Sequence, residues 1–116
     1  MTYRRSMFLF VPVALCAAAV WASAADFSAW QKRQKLTFSG YERTETLADF
    51  AALVTFSEGA AGFHYTDFAS PDGLDLRFSD GSRGVELPYE IEHWDTAGVS
   101  RVWVLLPQLA AGTNIW

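Results

Sequence analysis

The chain has 116 residues, of which 51% are hydrophobic and 16% aromatic, and this composition excludes a disordered tail and leaves room for one small domain. From residue 26 onward, seven Lys and Arg residues stand against thirteen Asp and Glu residues, a balance of −6. Because phosphate backbones and anionic membrane surfaces repel a chain of that sign, we expect no nucleic-acid partner.

Residues 1–25, "MTYRRSMFLFVPVALCAAAVWASAA", have the layout of a secretory signal peptide. Two arginines, Arg4 and Arg5, precede an apolar run of about 15 residues, which is shorter than the roughly 20 needed to span a bilayer. The small residues at 22–24 then suit a signal peptidase, and we expect cleavage before Ala25 or Asp26. An uncleaved membrane anchor is the alternative.

The signal segment predicts an exported protein that is periplasmic, attached to the cell surface or secreted. Cys16 is the sole cysteine and lies inside this segment, so the domain at 26–116 would fold without a disulfide. Membrane contact would arise through the signal segment or through domains downstream of Trp116. The apolar pair at the end of the chain, Ile115 and Trp116, resembles the opening of a further strand and suggests a fragment.

Short alternating runs follow along the chain, and each run predicts a β-strand. Lys35 to Phe38 is the first, and Leu47 to Phe56 suits either a short helix or a buried strand, with a strand favoured for its second half. Later runs cover 73–80, 85–94 and 100–107. Five or six short strands with turns every eight to twelve residues predict an all-β, antiparallel sandwich or barrel.

In the later runs one face of each strand is predicted to be buried. The residues expected to point inward are Leu74, Leu76, Phe78, Val85, Leu87, Tyr89, Ile91, Val102, Val104 and Leu106. Pro88 cannot donate a ladder hydrogen bond, which predicts an edge strand or an interruption there. Asp95 to Gly98 predict the turn of a hairpin.

Three motifs carry a resemblance to a known family. They are, in chain order, "DGLDLRFSDG", "ELPYEIEHWD" and "GVSRVWVLLPQLAAGTNI". Two shorter matches precede them: Trp30, Lys32 and Arg33 with "LTF", and then "LADFAALVTF". In order and spacing, the chain from about Trp30 to Trp116 resembles the bacterial domain of unknown function 2341 family. The family commonly has a proline near Ala51 or Ala52, and its members continue into an aromatic-rich strand that this sequence lacks.

The resemblance implies a jelly-roll, concanavalin-like β-sandwich in an exported protein. Such domains stand beside concanavalin-like lectin modules or N-terminal to a proton-channel domain of the MotA/TolQ/ExbB type. The resemblance implies no catalytic residue and no cofactor. We therefore expect a non-catalytic extracytoplasmic module that binds a glycan or a cell-envelope protein or spaces neighbouring domains. The periplasmic sensory or regulatory head of a proton-channel component is the alternative.

The acidic stretch from Asp72 to Asp95 raises two sharper hypotheses. "EIEHWD" resembles the catalytic strand of laminarinase-type glycoside hydrolases, but Asp95 falls in the predicted turn, so a glycosidase is a distant alternative. Asp72, Asp75 and Asp80 are candidate oxygen ligands for a structural calcium ion. The competing interpretation, which we prefer, is that these three aspartates stabilise turns through side-chain-to-backbone hydrogen bonds.

A binding surface is predicted from Glu90, Glu92, Trp94 and Trp103. Both tryptophans are expected on the sheet face opposite the main apolar stripe, where carboxylates and an exposed indole could hold a sugar. Packing under a loop is the other possibility for the two rings, and the large area of tryptophan favours it. Arg77 and Arg101 are expected as ion-pair partners of Glu90 or Glu92.

Overall fold

The computed structural model describes residues 24–116, so nearly all of the predicted signal segment lies outside the described residues. The described part contains five strands and two single-turn 3-10 helices. The strands are β1 (Leu36–Thr37), β2 (Leu47–Ser57), β3 (Tyr89–His93), β4 (Val99–Leu109) and β5 (Asn114–Ile115), and the 3-10 helices are Ala60–Gly62 and Tyr65–Asp67. Every strand pair is antiparallel, which confirms the all-β class. No helix in this part of the chain is long and apolar enough to cross a membrane.

A three-stranded sheet with the order β2-β4-β3 forms the larger layer. Strand β4 lies in the centre, and its 11 residues pair along the 11 residues of β2. Pro88 directly precedes β3, which is an edge strand, as its missing amide hydrogen predicts. The β3–β4 hairpin is also confirmed, and the Gly98 amide closes its turn by donating to the Asp95 carbonyl at 3.3 Å.

Alternation along β2 and the middle of β4 decides most of the core positions, although Leu105 is also buried, on the opposite face of β4. Ala52, Val54 and Phe56 of β2 are buried, and so are Val102, Val104 and Leu106 of β4. The whole stretch from Leu47 is therefore a strand and not a short helix. Its β-branched and aromatic side chains suit a half-buried pleated surface, and pairing with β4 fixes the extended backbone except at Asp49, which has no partner in the register and a φ of +50°.

The smaller layer is made of β1, β5 and the segment between residues 78 and 87. Strand β5 pairs with β1, and single bridges join Asp80 to Ile115 and Ser79 to Glu86. Phe78, Leu87 and Ile115 are each only 2% exposed and belong to the same apolar cluster as the buried residues of β2 and β4. The core therefore lies between these two layers.

The strand predicted over residues 73–80 does not form. Gly73 has a φ of +70°, and Leu74 lies in a turn with 68% of its surface exposed. The carboxylate of Asp75 accepts hydrogen bonds from the Ala69 and Ser70 amides, which holds a loop where a ladder was expected. Val85 also departs from the predicted inward face, with 53% exposure, whereas Leu76 is buried as predicted.

A loop from residue 58 to residue 72 covers the inner face of the larger sheet. Phe63 stacks on Phe56 with ring centroids 4.7 Å apart, and Tyr65 meets Phe63 edge to face at 4.9 Å. The carboxylate of Glu58 holds the loop by accepting the Tyr65 amide at 3.0 Å, with His64 Nδ1 2.7 Å from its second oxygen. The Tyr65 amide and the His64 ring together lower the pKa of Glu58.

Candidate functional site

Two of the three candidate calcium ligands organise loops. The Asp75 carboxylate accepts a hydrogen bond from the Ala69 amide at 2.8 Å. The Asp80 carboxylate accepts hydrogen bonds from the Ser82 hydroxyl at 2.8 Å and from the Val85 amide at 3.3 Å. Partial burial opposes ionisation of both carboxyls, but these hydrogen bonds outweigh it and hold the pKa of Asp75 and of Asp80 below the ordinary value. The turn-stabilising role predicted for these two residues is confirmed.

Asp72 departs from that prediction. Its backbone amide donates to the Ser70 hydroxyl at 3.3 Å, and within residues 24–116 its own carboxylate makes no hydrogen bond. Over the same residues, no group of three or more His, Cys, Asp or Glu side chains is arranged to hold a metal ion. His64 lies beside Glu58, and His93 has Nε2 3.8 Å from an Asp95 oxygen. Each histidine thus faces a single carboxylate.

The face of the three-stranded sheet that points away from the core, here called the outer face, carries most of the predicted binding surface. Trp103 lies at its centre, where β4 pairs with Leu53 of β2 on one side and with Glu90 of β3 on the other. Leu53 is 43% exposed and Trp103 is partly exposed. Directly opposed residues have Cβ atoms about 4.5–5.5 Å apart. One row across the sheet therefore joins an aliphatic side chain, an indole and a carboxylate.

A charged pair borders this row. Arg101 Nε donates to Glu92 Oε2 at 3.0 Å, with both side chains partly exposed. This confirms Arg101 as the expected partner of Glu92. Arg77, the other expected partner, lies instead 3.4 Å from Glu86. The Arg101–Glu92 pair lies one row from Trp103, because residues two apart on a strand share a face.

Trp94 does not share the outer face, which corrects the prediction that both tryptophans lie opposite the apolar stripe. The register between β3 and β4 shifts between Ile91 and His93, so a bulge inserts one residue and reverses the alternation beyond it. The Trp94 ring packs edge to face on Tyr65 and Phe68, at 5.3 and 5.2 Å. Its indole nitrogen donates to the Pro71 carbonyl at 3.0 Å. The packed interpretation holds for Trp94.

The three acids of the "EIEHWD" motif do not all lie on one strand. Glu90 and Glu92 lie on β3, whereas Asp95 lies beyond its end, and Asp95 Oδ1 accepts the Ala97 amide at 2.9 Å in the hairpin turn. Glu92 is engaged by Arg101. A retaining mechanism requires two carboxyl groups about 5–5.5 Å apart on either side of the scissile bond, one of them free to donate a proton. The turn position of Asp95 leaves this strand without the third acid of the resembled motif.

Sequence reasoning missed two features that the structure brings together. Leu53 lies beside Trp103 on the outer face. The alternation of "LADFAALVTF" predicts this, because it places Leu53 on the other face of the strand from the buried Val54. The ring of Trp116 contacts three cationic side chains, those of Arg33, Lys35 and Arg83. No local pattern signals the second feature, because its members are separated by up to 83 positions in the sequence.

Comparisons of the chain with family models, with curated proteins and with solved structures find no match in any of the three. Family membership, and the jelly-roll type of sandwich that it implies, therefore remain proposals that depend on the quoted motifs.

Proposed function

We propose that this chain is a non-catalytic, exported β-sandwich module of the jelly-roll, concanavalin-like kind, and that its outer face binds a glycan. The observation that carries the proposal is the row of Leu53, Trp103 and Glu90 across the larger sheet. An indole flanked by an aliphatic side chain offers a flat apolar platform, and aromatic rings provide much of the contact energy at binding surfaces.

Polar groups beside the platform supply the second requirement of sugar recognition. Sugar hydroxyls donate and accept hydrogen bonds, and the carboxylates of Glu90 and Glu92 and the guanidinium of Arg101 offer both functions. Arg101 Nε donates to Glu92 Oε2 at 3.0 Å, so the two side chains already lie side by side without a ligand. Preorganisation of this kind lowers the entropy cost of binding.

The support for a non-catalytic role comes from the same residues. Glu92 is paired with Arg101, and Asp95 serves the hairpin turn, so neither is arranged as the free acid and nucleophile of a glycosidase. The glycan would therefore be held without being cleaved.

Binding to neutral oligosaccharides from β-glucan, cellulose and chitin, measured by isothermal titration calorimetry, tests the proposal. Trp103→Ala and Leu53→Ala should each weaken binding, by about tenfold or more for Trp103→Ala, as is usual for a central aromatic contact. Leu74→Ala is the matched control, because Leu74 is an exposed apolar side chain away from the outer face. If no oligosaccharide binds, or if Trp103→Ala binds as tightly as the control, the proposal is wrong. Release of shortened products would contradict the non-catalytic part.

A further inference from the structure

Three cationic side chains converge on the ring of Trp116. The guanidinium carbons of Arg33 and Arg83 lie 5.6 and 5.3 Å from the ring centroid, and Lys35 Nζ lies 5.7 Å from it. Each distance is within the range of a cation–π contact. These four residues are here called the Trp116 cluster. The cluster is separate from the outer face, because none of its members belongs to the three-stranded sheet.

Within residues 24–116, no carboxylate forms an ion pair with a cation of the cluster. In the part of the chain that the structure describes, Lys32, Arg77 and Arg101 each lie within 4.0 Å of a carboxylate oxygen, whereas Arg33, Lys35 and Arg83 form no ion pair. Asp80 lies in the same turn as Arg83, but its carboxylate accepts hydrogen bonds from the Ser82 hydroxyl and from the Gly84 and Val85 amides and pairs with none of the three cations. Like charges gathered on one ring repel each other, and a bound anion would remove that repulsion.

Backbone hydrogen bonds fix the positions of two members of the cluster, Trp116 and Arg83. Trp116 exchanges two backbone hydrogen bonds with Ser79, at 2.8 and 3.0 Å, and its indole nitrogen donates to the Gly81 carbonyl at 3.3 Å. Arg83 lies in the turn that the Asp80 carboxylate stabilises, and it has a φ of +64°. Side chains larger than glycine are disfavoured in this left-handed region. An arginine is thus held over the ring at a position whose backbone conformation favours glycine.

We propose that the Trp116 cluster binds a tetrahedral oxyanion, a sulfate or phosphate group, either free or carried by a saccharide. Guanidinium groups match such anions with paired N–H donors in a planar fork, and the ammonium group of Lys35 adds a point charge. Trp116 acts as the scaffold that keeps the three cations together. The site is independent of the proposed neutral-glycan surface, so a ligand could engage either site alone.

Calorimetric titration of the purified protein with sodium sulfate, with sodium phosphate and with a sulfated oligosaccharide tests this site, beside the unsulfated oligosaccharide. Oxyanion binding should weaken as NaCl increases, because salt screens exposed charges. Arg83→Gly and Arg33→Gln should each reduce the affinity at least tenfold. Arg83→Gly also relieves the left-handed strain at this position, so its melting temperature should not fall and a loss of binding cannot be assigned to unfolding. Arg43→Gln, an exposed arginine outside the cluster, is the matched control.

The outcomes separate the two sources of the anion and the two proposed sites. Tight binding of the sulfated oligosaccharide with weak binding of free sulfate would identify a saccharide-borne group, and equal binding would identify the free anion. Trp103→Ala should leave oxyanion binding unchanged, whereas Arg83→Gly should leave neutral-oligosaccharide binding unchanged. The inference is overturned if none of the three oxyanion ligands binds, or if Arg83→Gly binds them as well as Arg43→Gln does.

Discussion

Asp80 shows at the scale of one residue how a carboxylate in this domain is used. It accepts hydrogen bonds from the Ser82 hydroxyl and from the amides of Gly84 and Val85, which closes the turn between residues 80 and 85. Asp72, eight positions earlier, makes no such side-chain bond within residues 24–116. The two aspartates look alike in the sequence and differ because the backbone folds around only one of them.

Asp80→Asn should therefore destabilise the protein in a pH-dependent way. The folded-state pKa of Asp80 is lowered, so its carboxylate contributes stability above the unfolded-state pKa, and this contribution is lost as the pH falls through the folded-state pKa. We expect a loss of about 1 kcal/mol at pH 7, reduced because the group is partly exposed, and a smaller loss near pH 3. Urea unfolding at both pH values measures it. Asp72→Asn is the control and should change little; equal effects of the two substitutions would contradict the prediction.

Gly73 illustrates a glycine that the packing requires. It has a φ of +70°, and a Cβ built there would lie 2.7 Å from the ring of Trp94. Gly112 has a φ of +79° but nothing within 4 Å of such a Cβ. Gly73→Ala should therefore be clearly more destabilising than Gly112→Ala, which should cost only about 1–2 kcal/mol for the left-handed backbone. Thermal unfolding of the two variants isolates the clash with Trp94, and equal melting temperatures would show that the ring moves away freely.

The bulge in β3 decides on which side of the sheet Trp94 lies. Before the bulge Glu90 faces outward opposite Trp103, and after it Trp94 returns to the core side against Tyr65. Without the inserted residue, Trp94 would lie on the outer face with Glu90. The sequence "EIEHWD" alternates without interruption and contains no mark of this change.

Because the two tryptophans lie on different faces, we expect their replacement by alanine to lower the free energy of unfolding by different amounts. Trp94→Ala should destabilise the protein by about 2–4 kcal/mol, because a half-buried ring that packs on two aromatic side chains and donates a hydrogen bond is lost. Trp103→Ala should cost less than about 1 kcal/mol, since its ring lies on the outer face. Urea unfolding of both variants gives the comparison. A larger loss for Trp103→Ala would mean that the face assignment is reversed.

At the scale of the whole molecule, the fold depends on its apolar core and its loop hydrogen bonds. Phe78, Leu106, Ile115, Val102 and Val104 are almost completely buried and join the two layers. Asp75 and Asp80, two of the three candidate calcium ligands, accept hydrogen bonds from the protein. Each of these two carboxylates is therefore already engaged in holding a loop.

We accordingly expect calcium to have a small effect on the whole protein. Adding millimolar CaCl₂, or removing divalent ions with EDTA, should shift the melting temperature by no more than about 2 °C, which corresponds to a binding free energy well under 1 kcal/mol for a domain of this size. Differential scanning calorimetry provides the measurement, and MgCl₂ is the control for general ionic effects. A calcium-specific increase of ten degrees would establish an ion site that the side-chain geometry does not indicate.

Strand alternation and turn chemistry are local properties, and they predicted the all-β class, the β3–β4 hairpin with Pro88 at its edge, and the burial of Val102, Val104 and Leu106 in β4. Packing of the chain determines that Leu74 and Val85 are exposed, that Trp94 and Trp103 lie on opposite faces, and that Arg33, Lys35 and Arg83 meet at Trp116. Loop hydrogen bonds, a register shift and contacts between residues distant in sequence arise only when the chain packs against itself. None of them leaves a periodic trace in the order of the amino acids.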